Sequence, residues 1–201
     1  MSDRILMVTG HRPPKIGGYD NYEAQGRLKT HMCHELERIS PDKGRSGFAL
    51  GIDQIFAQAC IDVGVPLIAD IPFEGQDSRW PEQSQIRYRD LLSKAHEVNV
   101  ISDLSASSSP HYGDIVKALH ARNHHMADTS SHALGYWNQI THGGTFECIT
   151  YLRHCLKDPD HSMQQLTIHN PTHIIKMSEK EWLENLADAR EEQKFHETGG
   201  K

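Results

Sequence analysis

Short apolar runs alternate with longer amphipathic ones along most of this chain, and that alternation constrains the fold more than any other feature. Strand patterns fall at residues 5–9, 47–50, 66–71, 98–102, 133–137 and 166–169. Helical periodicity occupies residues 22–39, 53–63, 82–95, 114–128, 145–156 and 179–196. Strand, helix, strand, helix requires parallel strands joined by right-handed crossovers. The expected fold is therefore α/β: a doubly wound, mostly parallel, Rossmann-like sheet with helices on both faces. Ligands of such sheets bind at the carboxyl ends of the strands.

Residues 1–156 carry the alternation and are expected to form the ligand-binding domain. Residues 157–201 read as a polar loop, a last strand and a charged helix packed on that domain. Ser178 and Glu181 form a capping-box pattern ahead of that helix, whose stripe is Trp182, Leu183, Leu186 and Ala189. No run reaches transmembrane length and residues 1–4 do not begin a signal peptide, so a cytoplasmic protein without membrane contact is expected. The net charge of −6, with basic residues scattered, weighs against nucleic acid as a partner. Self-association as a dimer or higher oligomer is also expected.

Cys33, Cys60, Cys148 and Cys155 match no zinc or redox spacing, and each falls in a helical run, which favours buried thiols. Fifteen histidines invite a metal reading, and His120 and His124 share a helix face. No HExxH occurs and the histidines are dispersed, so neither a metal nor any other cofactor is expected. A dinucleotide-type GxGxxG after the first strand, a P-loop and a GxSxG elbow are all missing.

What remains is a set of polar strand ends. The first leads into GHRPPKIGGY, where Gly10, His11 and the Arg12 guanidinium face the rim and suit a phosphate or sugar. The second leads into GIDQ, in which Gly51 opens a helix. Asp53 there is either a dipole-favoured carboxylate or an acceptor for ribose or base. The third leads into PFEGQDSRWPEQSQIRY. Phe73 and Trp80 offer flat faces for a base and Gln76 a polar edge, although Trp80 before Pro81 equally suits a helix staple. The segment ARNHHMAD adds Arg122, Asn123 and Asp128, with Arg122 and Met126 on one helix face.

The last of these ends is HGGTFE, residues 142–147. Gly143 and Gly144 let a backbone approach a phosphate, at the positive end of the helix that follows. Thr145 serves as N-cap or phosphate contact, and Glu147 as general base or dipole-favoured residue.

Together VTGHRPPKIGGY, ALGIDQIFAQA, PLIADIPFEGQDSRWPEQSQIRYRDLL, RNHHMAD and HGGTFECITYLR resemble the SLOG superfamily of Rossmann-like proteins. That group includes the LOG phosphoribohydrolases and the DNA-processing protein DprA, and the chain looks most like its YpsA-type branch. The resemblance spans residues 4–156 and implies a nucleotide or nucleotide-derived ligand, of nucleoside phosphate or ADP-ribose type. Some members cleave N-glycosidic bonds; others sense nucleotide signals, often in phage–host conflict.

The resemblance marks Arg122, in RNHHM, and a glutamate on the HGGT helix as candidate catalytic residues. Here the glutamate position holds Cys148, and Glu147 stands one residue early, ~100° around a helix. The reading adopted is binding of a nucleotide-derived ligand, as a sensor or binding protein. The alternative is an N-glycosidase releasing base from a nucleoside monophosphate, with Arg122 and Glu147 catalytic. A second alternative is single-stranded nucleic-acid binding in the manner of DprA.

Overall fold

A computed structural model describes residues 3–105, 110–178, 180, 181 and 184. Its centre is β1 (Ile5–Gly10), ILMVTG, whose Leu6 and Val8 point to one face of a sheet and Met7 to the other. A strand apolar on both sides must be covered on both sides. It is flanked by β2 (Lys43–Ser46) and β5 (His132–Tyr136), both parallel to it. With β3 (Leu67–Ile71), β4 (Glu97–Val100) and β6 (Gln165–His169) the order is β4-β3-β2-β1-β5-β6, parallel throughout. The chain winds outward from β1 to β4, then returns to β5 beside β1. The switch point therefore lies between the carboxyl ends of β1 and β5.

Helices α1 (Tyr22–Ile39), α2 (Ile52–Val63) and α3 (Glu82–Ser93) connect the first four strands. With α6 (Pro171–Lys176) they cover one face, where Leu28, Met32, Phe56, Leu91 and Ile174 bury against Leu6, Val8, Ala69 and Leu134. Helices α4 (Tyr112–Asp128) and α5 (Gly144–Cys155) cover the other, over a smaller core of Met7, Met126, Ala133, Cys148 and Leu152. In α1 the buried residues Ala24, Leu28, Met32 and Leu36 recur every fourth position, and the Asn21 side chain caps the start by accepting from Ala24 N at 3.0 Å.

The second strand is where the sequence pattern misleads. Residues 47–50 are apolar but form a buried loop, with Phe48 at φ 54°, a left-handed conformation that no strand continues through. The strand is instead KGRS. Gly44 leaves room for the Cys60 thiol, which a Cβ would meet at 2.4 Å, and Arg45 is buried because it pairs with Asp70. A strand filled by a glycine and a paired charge gives no hydropathy signal.

Helix α6 is also absent from the periodicity. Its Asn170 accepts from Thr172 N and His173 N, and Pro171 occupies the first turn. The Ser178–Glu181 capping box forms, with Ser178 N donating to Glu181 Oε2 at 2.8 Å and Glu181 N to Ser178 Oγ at 3.3 Å. Most of the expected helix at 179–196, with Trp182, Leu183, Leu186 and Ala189, lies outside the described residues. Cys33, Cys60, Cys148 and Cys155 are free thiols, all but Cys33 buried. Among the described residues no helix is long and apolar enough to cross a membrane.

Candidate functional site

At the switch point two loops are tied together. The Thr145 hydroxyl donates to the Gly10 carbonyl at 2.9 Å, and His11 Nε2 lies 2.5 Å from Asn138 Oδ1. The first contact fixes the start of α5 against the end of β1, and the second joins the loops that follow β1 and β5. No side chain caps α5: its N-cap is Gly143 at φ 87°, and the first helical bond runs from Glu147 N to Gly143 O. The N–H groups of that first turn thus have no carbonyl partner within the helix and face the opening, as an anion site requires.

Opposite them is Arg122. It rises from α4 on one face, passes over the end of β2, and reaches Asp53 in the first turn of α2 on the other, NH1 to Oδ2 at 3.3 Å. It is 5% exposed, and its Nε has no hydrogen-bond partner among the described residues. The passage exists because residue 47 is glycine: a Cβ there would stand 1.4 Å from Arg122 NH1. Asp53 Oδ2 also accepts from Ala49 N at 3.2 Å. Burial pushes the Asp53 pKa up, while Arg122, Arg12 and the Ala49 N–H oppose that rise.

Arg12 is solvent-exposed over the same pocket. Loss of water around its head group lowers its pKa, with Asp53 opposing and Arg122 adding to the effect. An arginine keeps its charge at neutral pH regardless. Two guanidiniums therefore share one buried carboxylate, which leaves positive charge for an incoming anion.

The enclosed space is about 350 Å³, lined by Thr9, Gly10, Arg12, Asp53, Arg122, Asn123, Gly143, Gly144, Thr145 and Glu147, with an apolar wall of Val116 and Leu119. That volume suits a small ligand. Tyr112, 82% exposed, and His120 complete the rim. Glu147 is exposed and pairs with His120 Nε2 at 2.8 Å. Cys148, one residue on, is buried against Thr9, its thiol pushed up to about 11 by burial. One step along α5 thus separates a pocket-facing carboxylate from a core thiol.

Other sequence candidates do not join this pocket. Phe73 is buried and Gln76 donates to the Tyr88 hydroxyl at 3.2 Å. Trp80 packs edge-on against Tyr88, 5.3 Å between centroids, at the margin of the core. Asp128 sits at the opposite end of α4, where it accepts from the Tyr151 hydroxyl at 2.8 Å. His11 and Gly51 support the pocket from behind. His11 is buried on Asn138, and burial lowers its pKa; Gly51, at φ 97°, has the His11 carbonyl 2.5 Å from where a Cβ would be.

The sequence reading missed Gly47, Asn138 and Tyr112. Only Tyr112, an aromatic beside a helix start, left a local signal. His120 and His124 do not converge: His120 meets Glu147, and His124 stacks on Tyr151 at 3.9 Å.

These features define a doubly wound α/β protein with an anion-suited pocket at its topological switch point. No family model matches the chain, and no curated protein does. Among solved structures it is similar to DNA processing protein A from Helicobacter pylori, described for its single-stranded DNA binding mode. The identity is 16%, over 91% of this chain and 73% of that one, with a TM-score of 0.51. It is also similar to DNA processing protein A (DprA) from Streptococcus pneumoniae, at 18% identity over 88% of this chain and 62% of that one, TM-score 0.45.

At such identities the likeness is one of fold, the Rossmann-like class to which the sequence resemblance pointed. It also corrects one expectation. The acidic balance was read as making nucleic acid an unlikely partner, yet a protein of this fold is described by its binding of single-stranded DNA. Charge summed over a chain does not report a local pair of guanidiniums.

Proposed function

We propose that the switch-point pocket binds the phosphate of a nucleotide or nucleotide-derived ligand. The phosphate sits on the Gly143–Gly144–Thr145 turn, between Arg12 and Arg122, with Asn123 beside it and the base along Tyr112, Val116 and Leu119. The observation that carries this reading is Arg122, held over Gly47 beside the uncapped start of α5. Gly10, His11, Gly51 and Asp53 shape and orient these groups. A place in the YpsA-type branch of the SLOG proteins, as a sensor or binding protein, accords with the pattern of motifs.

Calorimetry across nucleoside mono- and diphosphates and ADP-ribose tests it. Stoichiometric binding that weakens at least tenfold in Arg122→Ala and in Gly144→Asp is expected; no binding across the panel removes the reading.

A second reading, single-stranded DNA, is favoured by the fold similarity to the Helicobacter pylori protein. There the phosphate belongs to a strand rather than a free nucleotide. Gel-shift binding of an oligonucleotide with steep salt dependence supports it, and the absence of any shift at low salt sinks it. Hydrolysis of the N-glycosidic bond would draw on Glu147, the carboxylate that faces the pocket mouth. Chromatography detects base release from monophosphates, and release unchanged in Glu147→Gln excludes that role.

A further inference from the structure

The α1 face of the sheet carries a second polar cluster that the switch-point pocket does not use. His31 and Glu35 stand one turn apart on α1, and His169 closes β6 opposite them. One ligand atom from each residue brings the three within 4.8 Å of one another. Glu35 Oε2 and His169 Nε2 are 3.4 Å apart. Two ligands at zinc bond lengths of ~2.0–2.1 Å and a tetrahedral angle stand about 3.4 Å apart, so this edge already has the required length.

His169 Nε2 is shut off from solvent and faces Glu35 Oε2 at 3.4 Å, too long and poorly aligned for a good hydrogen bond. A buried ring nitrogen so weakly satisfied leaves room for a cation between it and the carboxylate. His31 Nδ1 lies 2.9 Å from the Tyr136 hydroxyl, an outer contact that fixes its ring. Glu35 is held by Arg38, whose Nε donates to Oε1 at 3.2 Å and whose NH2 donates to Oε2 at 2.6 Å. A carboxylate offers about four lone-pair directions, so both oxygens can keep their arginine bonds while Oε2 also serves a cation.

We propose that His31, Glu35 and His169 form a binding site for a divalent transition metal of the zinc type. Two imidazoles and one carboxylate suit Zn²⁺ rather than Ca²⁺ or Mg²⁺, which prefer all-oxygen shells. The ion ties the middle of α1 to the carboxyl end of the edge strand β6. A rival cluster, Asp128, Cys155 and His161, is less suited. His161 Nδ1 accepts from Met163 N at 2.9 Å, which places the ring proton on Nε2, the atom facing Asp128 at 3.2 Å.

The test strips the whole chain with a chelator, then titrates Zn²⁺ by calorimetry and Co²⁺ by visible absorption. One equivalent per chain is expected, with the bands of a tetrahedral cobalt site. Affinity should fall at least tenfold in His169→Gln and in Glu35→Gln and stay unchanged in His161→Gln. Zinc should raise the thermal midpoint of the parent chain and not that of His169→Gln. Circular dichroism checks each fold, and Glu35→Gln decides alone if His169→Gln does not fold. Absence of stoichiometric binding by the parent overturns the proposal. So does binding that survives in every folded variant of His169 or Glu35, or that is lost only in His161→Gln.

Discussion

Two buried arginine–aspartate pairs in this molecule have the same chemistry and opposite surroundings. Arg45 on β2 faces Asp70 on β3, Nε to Oδ2 at 3.4 Å, sealed beneath α4. Asn99 donates to Asp70 Oδ1 at 3.0 Å, and Arg45 NH1 to the Thr129 carbonyl at 3.1 Å. Arg122 and Asp53 meet at 3.3 Å over the carboxyl edge, where the sheet ends and a pocket opens. Each arginine keeps a buried Nε without a hydrogen-bond partner among the described residues. The first pair is enclosed by backbone and side chains; the second has Arg12, a glycine turn and an uncapped helix around it. Position relative to the switch point, rather than residue type, separates a structural ion pair from a candidate site.

The largest way to test that contrast is Arg45→Ala. It leaves Asp70, with no exposed surface, facing a hole, and loss of one partner of a buried pair costs about 3–5 kcal/mol. Urea unfolding should show that loss, while ligand affinity of the folded chain holds. A cost below about 1 kcal/mol would erase the difference between the two pairs. Next is Gly47→Ala, whose methyl displaces Arg122. Affinity in calorimetry should fall as far as in Arg122→Ala, by about 1.5–3 kcal/mol for lost charge-assisted bonds.

A third buried polar cluster, on the α1 face, sharpens the comparison through pH. Burial, with His169 adding to it, drives the His31 pKa to about 3. Burial alone would raise Glu35, but the facing His169 ring and the Arg38 guanidinium override it and hold the group at about 2. In both cases the unfolded chain binds the proton first, so stability is present above the unfolded value and lost on acidification. For His31 the window runs from 6.5 down to about 3, and for Glu35 from 4.5 down to about 2. With chelator present, the thermal midpoint should fall steadily from pH 7 to pH 4, and His31→Gln should flatten the upper part. A midpoint independent of pH over that range would contradict both directions. The smallest effect belongs to Glu147→Gln. Its pair with His120 is half in solvent, worth under about 1 kcal/mol, so unfolding should scarcely change.

Much of the architecture was legible. The every-fourth-residue stripe of α1 placed residues 22–39 correctly, and β1, β3 and β5 announced themselves as apolar runs. Strand β2 did not, because Arg45 owes its burial to Asp70, a residue far along the chain. The site was legible in part. HGGT and Arg12 stand at the pocket because strand ends converge at a switch point by topology. Phe73, Gln76 and Trp80 were grouped with them on shared polarity and aromaticity, and the fold used them around Tyr88 instead. Asp128 shares a helix with Arg122, but six residues along a helix is about 9 Å, enough to reach the other end of the sheet.

The sequence alone determined the class of sheet and the loops at its carboxyl edge, since periodicity and glycine placement are local properties. Only the tertiary structure decided which charges meet. Arg122 reaches Asp53 because Gly47, distant in sequence, leaves a gap above β2. His169 comes to Glu35 because β6 adds to the edge beside β5, under α1. Ion pairs, and any ions they hold, depend on distances between separate elements, and those distances are set only when both faces of the sheet are packed.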